Sequence, residues 1–396
     1  MVQTPVYMDN HATTRVDPRV VEAMLPLLSD VYGNPGSTRH VFGWEAKEAV
    51  EQACQQVAEA LGASAREIVF TSGATESNNL AIRGVLDRQR RKGNHVISVT
   101  TEHRAILDPL SRLSRRDCEV TLLKPYQAGD QRVGFIDPQQ VADAITSETA
   151  LVTVMLANNE IGVLQPLAEI SAICREHGVL LHTDATQAMG RIPIDVESLG
   201  VDLLSASAHK FYGPKGCGLL YARRSPRLIR LEPMIEGGGQ QNGLRSGTLN
   251  PAGIVGLSRA LELAEEEMVA ESERLGLLRD RLFSGLQAGV EKVSLNGPVL
   301  ADRTKRLPQN LNCSFEGVDG EALLMSMKEL AVSSGSACTS ANPEPSHVLR
   351  AIGLSDDLTR ASLRFGLGRF TTESEVEFAI EIVCQAVKRL RQLKEV

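Results

Sequence analysis

Three kinds of side chain in this sequence could do chemistry together. They are a lysine in a turn between apolar runs, acids and histidines at the ends of apolar runs, and one cysteine among serines and glycines. The lysine is Lys210. A mostly apolar run, Val201–Leu204, leads to Ser205, Ser207, His209 and Lys210, and Gly213, Pro214, Gly216 and Gly218 then turn the chain into a second apolar run, Leu219–Tyr221. A lysine buried between two strands is costly unless it is paired or loses its charge. Condensation with an aldehyde removes the charge. Lys210 is therefore a candidate Schiff-base lysine for pyridoxal phosphate, with Ser207 and His209 beside it to hold a phosphate. Taken alone, such a stretch more often means a glycine-rich hairpin with a solvated lysine; the rest of the chain shifts that weighting.

Glu67–Phe70 reads as a strand that runs into Thr71–Asn78, TSGATESN, with a helix expected over 79–90. Free N–H groups and the helix dipole at such a junction suit an anion. A hydroxyl N-cap is the equal alternative. The strand His95–Val99 is followed by Thr100–His103, which puts His103 where α/β folds place ligand-contacting groups; a lone histidine there is also commonly structural. The strand Val179–His182 is followed by Asp184. A carboxylate paired with a pyridine nitrogen keeps that nitrogen protonated and makes the ring an electron sink, although Asp184 could instead cap the next turn. The seven cysteines are scattered and form no C-x-x-C pair, which argues against a disulfide framework or a structural zinc site. Cys54, Cys174 and Cys384 fall on helical apolar stripes, Cys217 and Cys313 lie in or beside strand runs, and Cys118 precedes a strand. Buried free cysteine serves as a small apolar residue. Cys338 differs: its neighbours are Ser, Gly, Ala and Thr, the setting of an exposed reactive thiol, with an accidental loop cysteine as the alternative.

The elements that must position these groups alternate. Strands at Glu119–Leu123 and Leu151–Leu156, the latter almost wholly apolar as in parallel sheets, are interleaved with helices around Ala105–Leu113, Pro138–Ile145 and Leu167–His177. A polar, glycine-rich loop at Gly237–Thr248 precedes a long helix over about Pro251–Leu286, whose run Glu265–Glu267 reads as a solvated face. The last third changes character, with antiparallel strands near Val293–Leu295 and Gln309–Phe315, a further strand Ser362–Gly366 and a closing helix Glu373–Leu393. At 396 residues the chain is long enough for two domains or one large α/β unit. A net charge of −7 without a basic tract argues against nucleic acid as a main partner. No signal-like N-terminus or apolar run of spanning length is present, so a cytoplasmic protein with no membrane contact is expected.

Together these motifs resemble the group I cysteine desulfurases, in the class V aminotransferase superfamily, over nearly the whole chain. The resemblance rests on DNHATT (9–14), YGNPGS (32–37), FTSGATESNN (70–79), TEHRA (101–105), NNEIG (158–162), HTDATQ (182–187), SASAHKFYGPKGCG (205–218), RSGTLN (245–250), SSGSACTS (333–340) and SLRFGLGRFT (362–371). The SSGSACTS loop separates this group from relatives with a shorter loop. The resemblance implies the aspartate-aminotransferase-like, type I fold of pyridoxal-phosphate-dependent transferases: a large domain, 16–260, with a mainly parallel seven-stranded sheet, and a smaller α+β domain, 1–15 and 261–396, carrying the cysteine loop at about 333–345. It implies that Lys210 forms the Schiff base, that Asp184 meets the pyridine nitrogen and Gln187 the ring hydroxyl oxygen, and that His103 stacks on the ring and shuttles protons. Ala74, Thr75, Ser207 and His209 would hold the cofactor through its phosphate, with Thr248 arriving from the second subunit of a homodimer. Asn158 would contact cofactor and substrate, and Arg364 would grip the substrate carboxylate with a donor fork.

The implied reaction removes sulfur from L-cysteine, giving L-alanine and a persulfide on Cys338 for delivery to an iron–sulfur scaffold or another acceptor protein, and to tRNA thiolation. No metal site is implied beyond a transient role for Cys338 as an iron–sulfur ligand. Ala208 stands where many relatives have glycine, and Asn10-His11 differ from the residues usual before ATT, leaving their roles open. Some relatives carry a longer C-terminal tail that docks a scaffold protein, so that docking mode is not expected here. The rival readings are an aminotransferase or selenocysteine lyase on the same fold, and a non-catalytic scaffold. The thiol loop argues against the aminotransferase, and Lys210, Asp184, His103 and Cys338 together argue against the scaffold.

Overall fold

The computed structural model describes residues 2–89, 93–334 and 345–394. Its strands are β1 (Val6–Tyr7), β2 (Ile68–Thr71), β3 (His95–Val99), β4 (Glu119–Leu123), β5 (Thr149–Thr153), β6 (Leu180–Asp184), β7 (Leu203–Ser207), β8 (Gly218–Ala222), β9 (Val293–Leu295), β10 (Asn310–Phe315), β11 (Leu330–Ala331) and β12 (Ser362–Gly366). Seven of them form one sheet in the order β2-β8-β7-β6-β5-β3-β4. Pairings from β7 through β4 are parallel, and β8 runs antiparallel to both β7 and β2. Every residue of β3, β5, β6, β7 and β8 is buried, as a parallel sheet covered on both faces requires. The expected α/β type I fold with a seven-stranded, mainly parallel sheet is thus present.

A second, antiparallel sheet, β12-β10-β9, packs on its own apolar cluster with Leu311, Phe315, Leu363, Phe365 and Val383. The helix Pro251–Gly289 serves both cores. Its first half buries Ile254, Leu257 and Leu261 against the large sheet, and its second half buries Leu275, Leu278, Leu282 and Leu286 with the small one. The N-terminal strand β1 joins the second cluster through parallel pairing with β11 and burial of Val6 and Met8.

One boundary differs in a way that matters. The helix expected over 79–90 begins at Ala74 and runs to Gln89, position 90 lying outside the described residues. Small polar residues read as a turn, but here they are the helix's first turn, and Ser77 and Asn78 are fully buried against the sheet. Gly73, at φ +150°, makes the corner. A Cβ on Gly218 of β8 would come within 2.5 Å of the Gly73 Cα, so glycine there lets the corner lie directly on the strand.

Candidate active site

The carboxyl ends of the parallel strands open into a cavity of roughly 850 Å³, the place where α/β sheets bind ligands. Lys210 lies on its wall, half-buried, at the end of a single 3₁₀ turn, Ala208–Lys210, that follows β7. The lysine is therefore not sealed between strands, and its amine is solvated by protein: Nζ donates to the carbonyls of His11 at 2.6 Å and Ala12 at 2.7 Å. The segment 9–14 straps the turn from outside. Thr14 donates through N and Oγ1 to the His209 carbonyl and accepts from Tyr212 N through Oγ1. From behind, Arg191 Nη2 donates to the Lys210 carbonyl at 3.1 Å. Arg191 also bonds Tyr212 and Glu271, and Arg369, from the chain after β12, closes the cluster by pairing with Glu271 and Asp17.

Asp184, the last residue of β6, faces the same cavity. Asn78 Nδ2 donates to its Oδ2 at 2.7 Å and Thr186 N to its Oδ1 at 2.9 Å, which fixes the carboxylate plane. Two residues back, His182 bridges Thr153 and Ser205 through its two ring nitrogens; burial pushes its pKa down, so it stays neutral beneath the acid. His103 caps the helix Arg104–Leu113, its Nδ1 accepting from Ala105 N at 3.0 Å, so a neutral ring carries its proton on Nε2. Ser72, Gly73, Ala74 and Thr75 bring the N-terminus of their helix to the wall, and Ser207 and His209 face the same space. Burial together with Lys210 and Lys215 lowers the His209 pKa to about 4.

Arg364 of β12 is 1% exposed and points into the cavity. Nη2 pairs with Asp9 at 2.9 Å and Nη1 donates to the Asn159 carbonyl at 3.1 Å, while Nε, although buried, has no hydrogen-bond partner among the described residues. A buried N–H left unsatisfied on a guanidinium beside a cavity suits an incoming carboxylate. Ser333 pairs through its backbone with Arg364, and Pro345, Ser346 and His347 line the cavity. The segment between these flanks, with Cys338, lies outside the described residues.

The cavity thus collects Lys210, His103, Asp184, Gln187, Ala74, Thr75, Ser207, His209 and Arg364. Asn158 is not on its wall, and Thr248, expected from a second subunit, is not on the wall of its own chain's cavity. The Asn158 side chain is fully buried and bonds Thr101 O, Glu160 N and Ile161 N, which shapes the loop that presents Asn159 at the wall. Thr248 is exposed and stands away from the cavity of its own chain. Reasoning from sequence missed Asn78 and His11. Asn78 had a signal, a polar residue one turn into a helix that follows a buried strand. His11 had only its departure from the residues usual in relatives.

The donor set fits pyridoxal phosphate: a helix N-terminus with hydroxyls for an anion, an amine for an aldehyde and an oriented carboxylate for a ring nitrogen. These features and the topology define a type I pyridoxal-phosphate-dependent transferase fold. The chain belongs to the aminotransferase class-V family, whose model matches residues 6–378. It is 53% identical over 392 residues to the cysteine desulfurase IscS of Anaeromyxobacter sp. (strain K), covering 99% of this chain and 95% of that one. Among solved structures it is similar to a NifS-like protein, with a TM-score of 0.87, 36% identity and coverage of 97% of this chain and 100% of the other. It is also similar to SspA in complex with cysteine, with a TM-score of 0.77, 36% identity and coverage of 92% and 99%.

Proposed function

We propose that this cavity is where the chain works as a pyridoxal-phosphate-dependent cysteine desulfurase. The observation that carries the reading is the convergence of Lys210, Asp184, His103 and Arg364 on one cavity at which both flanks of the cysteine loop end. When bound, the cofactor would supply an electron sink conjugated to the substrate Cα. The chain's residues do the rest. Arg364 takes the L-cysteine carboxylate on the side of its Nε, which has no partner among the described residues. The Lys210 amine, placed by the carbonyls of residues 11 and 12, would hold the cofactor's aldehyde carbon and is the base for the substrate Cα proton. His103 holds or returns a proton through Nε2. Asp184, held by Asn78, would stabilise positive charge on the cofactor's ring nitrogen.

Cys338, as thiolate, attacks the substrate sulfur. An S–S bond forms and the Cβ–S bond breaks. The bond's electron pair stays with the carbon fragment, which takes a proton and leaves as L-alanine. Burial pushes the thiols of Cys54 and Cys217 up to about 11 and that of Cys174 up to about 12, so these are poor nucleophiles at neutral pH. The persulfide then passes to an acceptor protein for iron–sulfur cluster assembly or tRNA thiolation.

The chain acts as a cytoplasmic homodimer in this reading; no helix among the described residues is long and apolar enough to cross a membrane. The exposed Leu25, Leu28, Tyr32, Phe42 and Trp44 supply an apolar face for the second subunit, whose Thr248 would complete the phosphate site. This reading divides the chain into 16–260 and 1–15 with 261–396; burial of Val6 and Met8 in one cluster with Leu275 and Leu282 supports it, although Leu261 and Leu263 still pack in the large sheet's cluster. The test is release of alanine and reducible sulfur from L-cysteine. The parent gives equimolar amounts. Cys338→Ala keeps its cofactor colour and releases almost no sulfur, and full activity in that variant would remove Cys338 from the mechanism.

A further inference from the structure

Behind Gln187 lies a chain of buried side chains whose hydrogen-bond directions are all determined. Arg306, fully buried, donates from Nη2 to Asn310 Oδ1 at 2.9 Å. Guanidinium is only a donor, so that atom of Asn310 must be the oxygen. The amide nitrogen donates to the Glu160 carbonyl at 3.1 Å and stands 3.1 Å from His11 Nε2. His11 Nε2 therefore accepts, and its proton sits on Nδ1. Nδ1 lies 2.9 Å from Gln187 Oε1, and Gln187 Nε2 donates to the His11 carbonyl at 3.0 Å. Both ends of the Gln187 amide are thus clasped by one residue, and the second Nε2–H is left for the cavity, which both residues line.

We propose that His11 is a positioning residue: through its Nδ1–H tautomer, fixed by Asn310 and Arg306, it orients the Gln187 amide so that an N–H faces the cofactor's ring oxygen. The inference rests on the pyridoxal phosphate reading above and goes beyond it by assigning a role to His11 and to a connection running from β10 to the cofactor. A charged His11 would set two donors against each other at Asn310. Burial, with Arg364, Arg191 and Lys210 nearby, holds its pKa well below the ordinary imidazole value. The His11 carbonyl also accepts from Lys210 Nζ, so one residue registers the amine and the amide together.

An N–H on the ring oxygen stabilises its negative charge most when the neighbouring Schiff base has lost its proton, so losing it raises the pH at which the cofactor's visible band titrates. The experiment is a pH titration of that band in purified holoenzyme. Asn310→Asp replaces the donor facing Nε2 by an acceptor and breaks the relay with His11 present. His11→Ala removes the clasp, and His11→Asn restores a donor facing Gln187. Asn310→Asp and His11→Ala are expected to move the midpoint up by about one pH unit, with His11→Asn returning toward the parent value. In a Gln187→Ala background, His11→Ala should add no further shift. If His11→Ala does not fold, Asn310→Asp and His11→Asn decide the matter. An unchanged midpoint in Asn310→Asp, or an undiminished His11→Ala shift in the Gln187→Ala background, would overturn the relay. A parent protein that takes up pyridoxal phosphate with no visible band would instead overturn the cofactor reading beneath it.

Discussion

The same device occurs at both ends of the large sheet, with different consequences. At the amino end, His95, the first residue of β3, bridges Thr149 of β5 and Thr121 of β4 at 2.8 and 2.9 Å. Toward the carboxyl end, His182 of β6 bridges Thr153 of β5 and Ser205 of β7, also at 2.8 and 2.9 Å. Each is a neutral imidazole tying three parallel strands through two hydroxyls. His182 lies one strand period from Asp184, on the same face, and so sits beneath the cavity; His95, at the start of β3, is not among the residues that line it. Their settings differ too. Thr153 and Ser205 are fully buried, whereas Thr149 also accepts from Thr146 N and Thr121 reaches partial exposure. A histidine in a buried sheet therefore says little by itself. Its position along the strand decides whether it is a tie or part of a site.

The largest effect is expected one step above His182. Asp184→Asn leaves the Thr186 contact possible but removes the negative charge facing the ring nitrogen. Alanine formation should fall by about 10³-fold with the melting temperature little changed. A loss below tenfold would mean that the carboxylate is only a cap, erasing the contrast between the two ends. Next come the histidines themselves. His182→Ala orphans two dry hydroxyls and should cost about 2–4 kcal/mol of stability, with a shifted cofactor absorption band. His95→Ala should cost about 1–2 kcal/mol, since its partners keep other contacts, and leave kcat/KM per folded molecule within about twofold of the parent. Denaturant melts and spectra of the two variants side by side check this. A changed cofactor spectrum in His95→Ala would break the comparison.

Much of this arrangement was legible in the sequence. Strands β3, β4 and β12 match their expected residues, because apolar runs bounded by polar turns leave little freedom. Lys210, Asp184 and His103 were singled out because residues at or just past the carboxyl end of a strand in an α/β sheet face the ligand crevice, and all three line one cavity. What escaped depends on contacts between segments distant in sequence. Nothing local in NNEIG signals that the Asn158 amide bonds three backbone groups, one of them the Thr101 carbonyl 57 residues away. Glu267 read as part of a solvated face, yet it pairs with Arg19 and Arg369 beside the Asp17 and Glu271 cluster. The helix starting at Ala74 was placed five residues late because Thr, Ser and Asn favour turns until a sheet buries one of their faces. His11 gives no local sign of its work, since its partners are 176 and 299 residues away.

The smallest expected effect separates the two histidines by pH. An unfolded imidazole titrates near 6.5. Burial lowers the pKa of His95 and His182 in the folded chain, as it does for His11, and carries His209 down to about 4. Below pH 6.5 the unfolded chain takes up protons that these folded sites refuse. Stability from this source is therefore complete above pH 6.5 and is lost as the pH falls through 6.5 toward about 4. Replacing one such histidine by glutamine removes one proton from the uptake on unfolding and flattens the stability–pH slope by at most about 1.4 kcal/mol per pH unit. His182→Gln should flatten it further into the acid range than His95→Gln, because His182 is enclosed by buried partners while the Thr121 side of His95 approaches solvent. Urea melts between pH 4.5 and 7.5 read both slopes. Equal flattening over the same range would show that the sheet treats its two ends alike, leaving proximity to Asp184 as the only difference between the two bridges.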